Sequence, residues 1–132
     1  MSAPAVPVNP ASLVAPRGYS HGMRGSGEML FVAGQIGWDR DGRMVSADFV
    51  SQFAQALANV LAVVAAAGGG PTSVARLVLY VTDKREYLGR RREVGQAYRR
   101  LMGKHFPAMA LVEVRGLLED EARIEIEAVA LL

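Results

Sequence analysis

The residues best suited to chemistry in this chain are three glutamates inside apolar segments, Glu113, Glu125 and Glu127. In "RIEIEAVAL" the last two are spaced by two, which in an extended strand puts both on one face and the isoleucines on the other. A solvated sheet face is the ordinary interpretation of that alternation. The alternative is that one glutamate points into a cleft between subunits and orients or activates a water there.

Other catalytic residue types are scarce. The 132 residues contain no cysteine, which excludes disulfides, cysteine–zinc sites and thiol nucleophiles. The two histidines, His21 and His105, have no ligand spacing with nearby carboxylates, so no metal site is predicted. No G-x-S-x-G motif is present, and the glycines at 68–70 are not followed by the Lys-Ser/Thr of a phosphate loop. The sequence predicts no cofactor.

Cations are concentrated between residues 90 and 104. They are Arg90, Arg91, Arg92, Arg99, Arg100 and Lys104. The ordinary interpretation is a solvated helix face supported by pairs with Glu86 and Glu93, and the alternative is a surface for anions or RNA. The net charge of +2, from 15 Lys and Arg against 13 Asp and Glu, is too balanced to indicate nucleic acid by itself. A nucleic-acid partner is therefore not favoured.

One globular domain must position these residues, since the chain is half hydrophobic and a fifth charged. Residues 1–17 carry four of the six prolines and predict a flexible N-terminal arm, which leaves 18–132 as the single domain. No secretory signal and no apolar stretch of membrane-spanning length is apparent, so we expect a cytoplasmic protein without a membrane partner.

The apolar periodicity predicts the order of elements. Spacings of three and four predict a helix over 48–67, capped by Ser46 or Asp48 and ended by the glycines at 68–70. Strands are predicted at "YSHGM" and "EMLFVAG", joined as a hairpin through "RGSG", and at "VARLVLYVT", "PAMALVEV" and "ARIEIEAVALL". A second helix is predicted over 86–103. The result is an α+β fold of one sheet and two helices.

The strand over 74–82 is apolar on both faces. Simple alternation puts Val74, Val78 and Tyr80 on one face and Ala75, Leu77, Leu79 and Val81 on the other. Two helices cover only one face of such a sheet, so another subunit should cover the second face. The sequence predicts a homo-oligomer with sheets packed face to face.

Several motifs occur in a characteristic order: "MLFVAGQIGWDRDGRMV", "FAQALANVLAVVAAAGG", "VARLVLYVTD", "FPAMALVEV" and "IEIEAVA". Over residues 19–130 the chain resembles the reactive-intermediate (imine/enamine) deaminase family, also called the YjgF or L-PSP family. The resemblance implies a chorismate-mutase-like α+β fold with one mixed sheet and two helices on one face. It also implies a homotrimer with a central β-barrel and three intersubunit clefts.

The resemblance also implies a site. Deaminating members hydrolyse 2-imino acids to 2-keto acids and ammonia without a cofactor. Glu125, the first glutamate of I-E-I-E, is implied to position or activate the water, and Tyr19 to line the pocket and hydrogen-bond the substrate. For Tyr19 the alternative is an aromatic residue of the subunit interface. The positions expected to bind the small-molecule ligand are Gly34, Gln35, Met109, Ala110, His21 and Tyr87.

One departure from the family pattern concerns specificity. Deaminating members have P-A-R-S, whose arginine holds the substrate carboxylate, whereas this chain has Met109 and Ala110 after P-A. A guanidinium fork on a desolvated carboxylate contributes strongly to binding, and methionine offers a flexible apolar surface instead. We therefore expect weak or absent hydrolysis of standard 2-imino acids, and a less anionic or larger apolar ligand.

His21 lies two residues after Tyr19 and is expected on the same strand face. It could serve as an acid/base group or anion anchor, or it could be a surface or interface histidine. Three functions are open on the sequence: a deaminating hydrolase, a non-catalytic small-molecule-binding trimer, and an RNA-binding or RNA-cleaving protein.

The predicted assembly can be tested by size. We expect light scattering at micromolar concentration to give about three times the 14.2 kDa chain mass, because an uncovered apolar sheet face is unstable in water. A monomer under those conditions contradicts the prediction.

Overall fold

A four-stranded mixed sheet forms the centre of this computed structural model, which describes residues 5–132. Its strands are β3 (Met29–Gln35), β4 (Val74–Val81), β5 (Ala108–Glu113) and β6 (Ile124–Leu131), in the order β3-β6-β4-β5. β6 is antiparallel to β3 and β4, and β4 is parallel to β5. Two shorter strands, β1 (Val6–Val8) and β2 (Gly22–Arg24), pair antiparallel beside it.

Three helices accompany the sheet: α1 (Phe49–Ala66), α2 (Lys84–Gly89) and α3 (Arg91–Met102). The predicted α+β fold is confirmed. α1 begins as predicted at Asp48, whose carboxylate accepts a hydrogen bond from the Ser51 backbone N–H at 3.0 Å. That bond, with the Arg90 guanidinium next to it, lowers the pKa of Asp48 below its ordinary value.

The prediction of a single second helix is wrong. α2 begins at Lys84 because the Asp83 carboxylate accepts the Arg85 N–H, and it ends at Gly89, a poor helix former. Arg90 then has φ −127°, outside the helical range, before α3 begins. Its guanidinium bridges the Asp48 carboxylate, at 3.0 Å, and the Glu93 carboxylate, which ties this break to the start of α1.

The predicted hairpin across "RGSG" is also wrong, because β2 pairs with β1 and β3 pairs with β6. β3 has a long partner in β6, with which it shares core positions such as Val32 opposite Ala128. β1 lies within the predicted N-terminal arm, whose flexibility stays a prediction; residues 1–4 of that arm lie outside the described residues.

The core lies between the helices and one face of the sheet. The strands contribute Leu77, Leu79, Val81, Ile124 and Ile126, and α1 contributes Phe53, Leu57, Val60 and Val64, all of them buried. A register shift between Val74 and Arg76 turns Val74 into this core, so its predicted placement with Val78 and Tyr80 is wrong. In β6 the predicted alternation is confirmed, with the isoleucines buried and Glu125 and Glu127 on the other face.

Within the described residues 5–132, no helix packs on the second face of the sheet. Phe31 is 71% exposed there and Val112 41% exposed, next to Val78, Tyr80 and Val129. A homotrimer with a barrel core stays the prediction for what covers this face.

α1 is long and apolar enough to span a membrane by length and composition alone. It is instead the core helix of the domain, because its apolar residues pack on the sheet and its polar side chains bond to neighbouring loops. The cytoplasmic location stays a prediction.

Gln52 anchors α1 to the rest of the chain. It is 0% exposed, and its side-chain nitrogen donates to the carbonyls of Ser46, at 2.9 Å, and Glu121, at 3.0 Å. Its side-chain oxygen accepts the Arg123 backbone N–H at 2.8 Å. One buried amide therefore provides hydrogen-bond partners for backbone groups of two segments, the one that precedes β6 and the one that precedes α1.

Replacing this amide should destabilise the fold. We expect Gln52→Leu to lower the free energy of unfolding by about 3 kcal/mol, because three backbone groups lose a buried partner. Denaturant unfolding measures the change. Gln96→Leu, at an exposed position of α3, is the control and should change stability by less than about 0.5 kcal/mol. Equal stability of the two variants would contradict this role.

Candidate functional site

A cavity of ≈ 460 Å³ lies on the helix face of the sheet, between α3 and the β4–β5 pair. Three residues predicted from the sequence line it: Tyr19, Tyr87 and Met109. The other lining residues are mostly apolar, namely Phe53, Leu57, Leu77, Leu79, Val94, Gly95, Tyr98, Phe106, Leu111 and Ile126, together with Arg17, Gly18, Arg91 and Arg99. Such a cavity suits a ligand with a sizeable apolar body.

Tyr19 is held at the cavity by the contacts of its neighbour Ser20, which is 5% exposed. The Ser20 hydroxyl donates to the Phe106 carbonyl at 2.6 Å, and its backbone N–H donates to the Pro107 carbonyl at 3.1 Å. These bonds hold the segment before β2 against the start of β5, two residues from Met109. Tyr19 therefore lies on a bend and not on the predicted strand.

The wall of the cavity along β5 is apolar. Met109 and Leu111 are partly buried against the core, and Met109 pairs with Leu77 of β4. Ala110, predicted as ligand-binding beside Met109, is exposed, because successive residues of a strand point to opposite faces.

Tyr98 is a buried lining residue of the cavity. Its ring stacks on Phe106 with centroids 5.5 Å apart, and its hydroxyl donates to the His105 carbonyl at 2.6 Å. Burial raises the pKa of Tyr98, so it stays neutral and acts as a fixed donor.

Glu125 lies on the opposite face of the sheet, together with Gly34. A Cβ at Gly34 would lie 2.7 Å from the Glu125 carboxyl carbon, so only glycine leaves room for this side chain. The irregular register of β3 between Val32 and Gln35 brings the Gly34 backbone to this position. The Gln35 side chain donates to the Ala33 carbonyl at 3.2 Å.

His21 is not among the residues lining the cavity. Its Nε2 lies 2.7 Å from the Val14 carbonyl oxygen, and its ring meets the Tyr19 ring edge-on with centroids 5.3 Å apart. His21 therefore supports Tyr19 and ties the 9–14 segment to it. The other histidine, His105, bonds the Val74 carbonyl at 2.7 Å.

Two features of the structure were not predicted from the sequence. The Tyr80 hydroxyl donates to the Glu127 carboxylate, and this hydrogen bond raises the pKa of Tyr80. The strand register makes that pair, and no local pattern predicts it. The arginines at the cavity are the second feature: the four-residue spacing of Arg91, Gly95 and Arg99 was visible and places them on one helix side.

The close approach at Gly34 generates a stability prediction. We expect Gly34→Ala to lower the free energy of unfolding by about 1–2 kcal/mol, because the new methyl displaces the Glu125 side chain. In a Glu125→Ala background the same change should cost much less. Denaturant unfolding of the parent protein, the two single variants and the double variant measures this coupling.

Gly89→Ala is the control, since nothing lies within 4 Å of a Cβ at that position. An equal cost of Gly34→Ala with and without Glu125 would show that the contact is not what makes glycine necessary.

Comparison with known proteins gives the family. The chain matches the family described as endoribonuclease L-PSP over residues 10–132. A RutC family protein from Pyrococcus horikoshii is 34% identical over 113 residues, 85% of each chain. The human 2-iminobutanoate/2-iminopropanoate deaminase is 33% identical over 103 residues, covering 77% of this chain and 72% of that protein.

Solved structures agree. The crystal structure of a Rid family protein of unknown function from Yersinia pestis matches with a TM-score of 0.88 and 32% identity, covering 98% of this chain and 100% of that one. The predicted YjgF-type fold is thereby confirmed. The chain belongs to the endoribonuclease L-PSP family, the YjgF or reactive-intermediate deaminase family that its motifs indicated.

Proposed function

We propose that this protein is a cofactor-free hydrolase of the imine/enamine deaminase type, with its site between two copies of the chain. Membership of the family supports an imine-deaminase or related small-molecule function. The observation that carries the proposal is the seating of the Glu125 carboxylate over the bare Gly34 backbone, on a sheet face that the chain leaves uncovered.

A single chain keeps the two parts of this site apart. Met109 is level with Leu77 of β4 and Glu125 with Tyr80, three residues further along, which is about 10 Å at the rise of a strand. β4 lies between their strands, which adds about another 10 Å, and they point to opposite faces. A ligand in the cavity beside Met109 therefore meets a Glu125 only if a second copy contributes it.

The chemistry required of these groups is modest. Glu125 orients a water and takes its proton as the water oxygen bonds to the imine carbon. The proton passes to the nitrogen and gives a carbinolamine. The hydroxyl proton of the carbinolamine then moves by way of the Glu125 carboxylate to the nitrogen as the carbon–nitrogen bond breaks, which gives a carbonyl compound and ammonia. Tyr19 would hydrogen-bond the substrate from the cavity side.

The apolar wall sets the substrate preference. Met109, Leu111 and Leu77 accommodate a hydrocarbon group larger than the methyl of 2-iminopropionate. The RNA interpretation is not favoured, because the cations at 90–104 do not form one surface. Arg90 is paired with Asp48 and Glu93, whereas Arg91 and Arg99 line the cavity.

Ammonia release tests the function. Imines of several sizes can be generated in place from amino acids by an amino-acid oxidase, and ammonia formation followed with and without the protein. We expect faster release from imines with large apolar side chains, and a loss of about 100-fold or more in Glu125→Gln, which keeps the shape but removes the proton acceptor. Glu119→Gln, at an exposed loop position, is the control and should be unaffected.

Met109→Arg tests the scaffold separately. It should create or raise activity on 2-iminopropionate by restoring a guanidinium at the family's position.

Undiminished turnover in Glu125→Gln contradicts the proposed role of Glu125. If neither the parent protein nor Met109→Arg hydrolyses any imine, but Glu125→Gln alters ligand binding, the protein is instead a non-catalytic binding trimer.

A further inference from the structure

Three guanidinium groups lie at the apolar cavity: Arg17, Arg91 and Arg99. All three residues are exposed, so their charged ends are at the solvent side of the cavity. Its other lining residues include no aspartate or glutamate. The cavity thus combines an apolar interior with a cationic rim.

These arginines lack acidic partners. Within residues 5–132, the ion pairs are Arg85–Asp83, Arg90–Asp48, Arg90–Glu93 and Arg123–Glu86. Arg85, Arg90 and Arg123 are thus partly neutralised, while Arg17, Arg91 and Arg99 at the cavity form none of these pairs. Like charges grouped beside low-dielectric walls produce a positive potential that an anionic ligand can neutralise.

The helix itself presents two of these arginines to the cavity. Arg91 and Arg99 lie four residues before and after Gly95, so all three share one side of α3. A Cβ at Gly95 would lie 3.6 Å from Nη1 of Arg99, so the guanidinium folds back over the glycine. Glycine inside a helix is destabilising relative to alanine. Here the glycine lies beside the Arg99 guanidinium at the cavity.

We propose that Arg91 and Arg99 anchor a carboxylate at the cavity mouth, so the protein binds a carboxylate whose apolar body enters the cavity along Met109. This inference deepens the proposed function, on which it rests, by naming a 2-imino acid with a large apolar side chain as the substrate class. Arg91 and Arg99 of α3 supply the positive charge that Met109 lacks. A carboxylate ligand therefore replaces the less anionic ligand that Met109 alone led us to expect.

Direct binding tests the anchor without turnover. Calorimetry can compare 3-phenylpropionate with its neutral isostere 3-phenylpropanamide. We expect the carboxylate to bind at least about tenfold more tightly at low salt, as for hydrogen bonds to charged groups. The double variant Arg91→Gln/Arg99→Gln should lose this preference and keep its affinity for the amide.

Arg92→Gln/Arg100→Gln is the matched control. Both residues are exposed on the same helix but do not line the cavity, so the preference should persist. Arg91→Glu/Arg99→Glu provides a positive signal that only folded protein can give: it should prefer 3-phenylpropylammonium to 3-phenylpropionate.

The results separate this inference from the proposed function. A carboxylate preference that is absent, or that survives in Arg91→Gln/Arg99→Gln, overturns the anchor even if imines are hydrolysed. A preference lost in that variant supports the anchor even if no imine is hydrolysed, in which case the protein is a carrier or sensor of such acids.

Discussion

The architecture depends on a sheet whose strands carry apolar residues on both faces, while the helices pack on one face only. In β6 the alternation is strict: Ile124 and Ile126 enter the core, and Glu125 and Glu127 point the other way. The same alternation in β5 directs Met109 to the cavity and Ala110 away from it. A sheet of this kind divides its polar and apolar groups between two surfaces, and the proposed site would join them only if chains associate.

Charge is distributed by the same division. The cavity side of α3 carries Arg91 and Arg99, and the uncovered sheet face carries Glu125 and Glu127 together with Arg76. Packing one chain's sheet face near another's helix layer would therefore bring carboxylates and guanidiniums to opposite sides of one space. The carboxylate of a 2-imino acid would be held by the guanidiniums, and the imine carbon bonded to it would face the water activated by the other chain's Glu125.

Sequence periodicity predicted much of this fold, because burial in β6 and α1 repeats at the spacing of a strand and of a helix. It misplaced Val74, since a bulge breaks the alternation there, and it missed the break at Arg90, where glycine and a long-range bond to Asp48 oppose a continuous helix. At the site, motifs named Tyr19, Met109 and Glu125. Only three-dimensional pairing separates Met109 from Glu125, and only the folded structure shows that Arg91 and Arg99 line one cavity.

The attachment of Ser20 to the carbonyls of Phe106 and Pro107 bears on how the pocket can change over evolution. A carbonyl is present whatever side chain a residue carries, so the position of Tyr19 is insensitive to substitution along β5. Side chains of the cavity wall along β5, such as that of Met109, can therefore be exchanged without moving the tyrosine. This separation of scaffold from wall allows one fold to diversify its ligands by drift at a few positions.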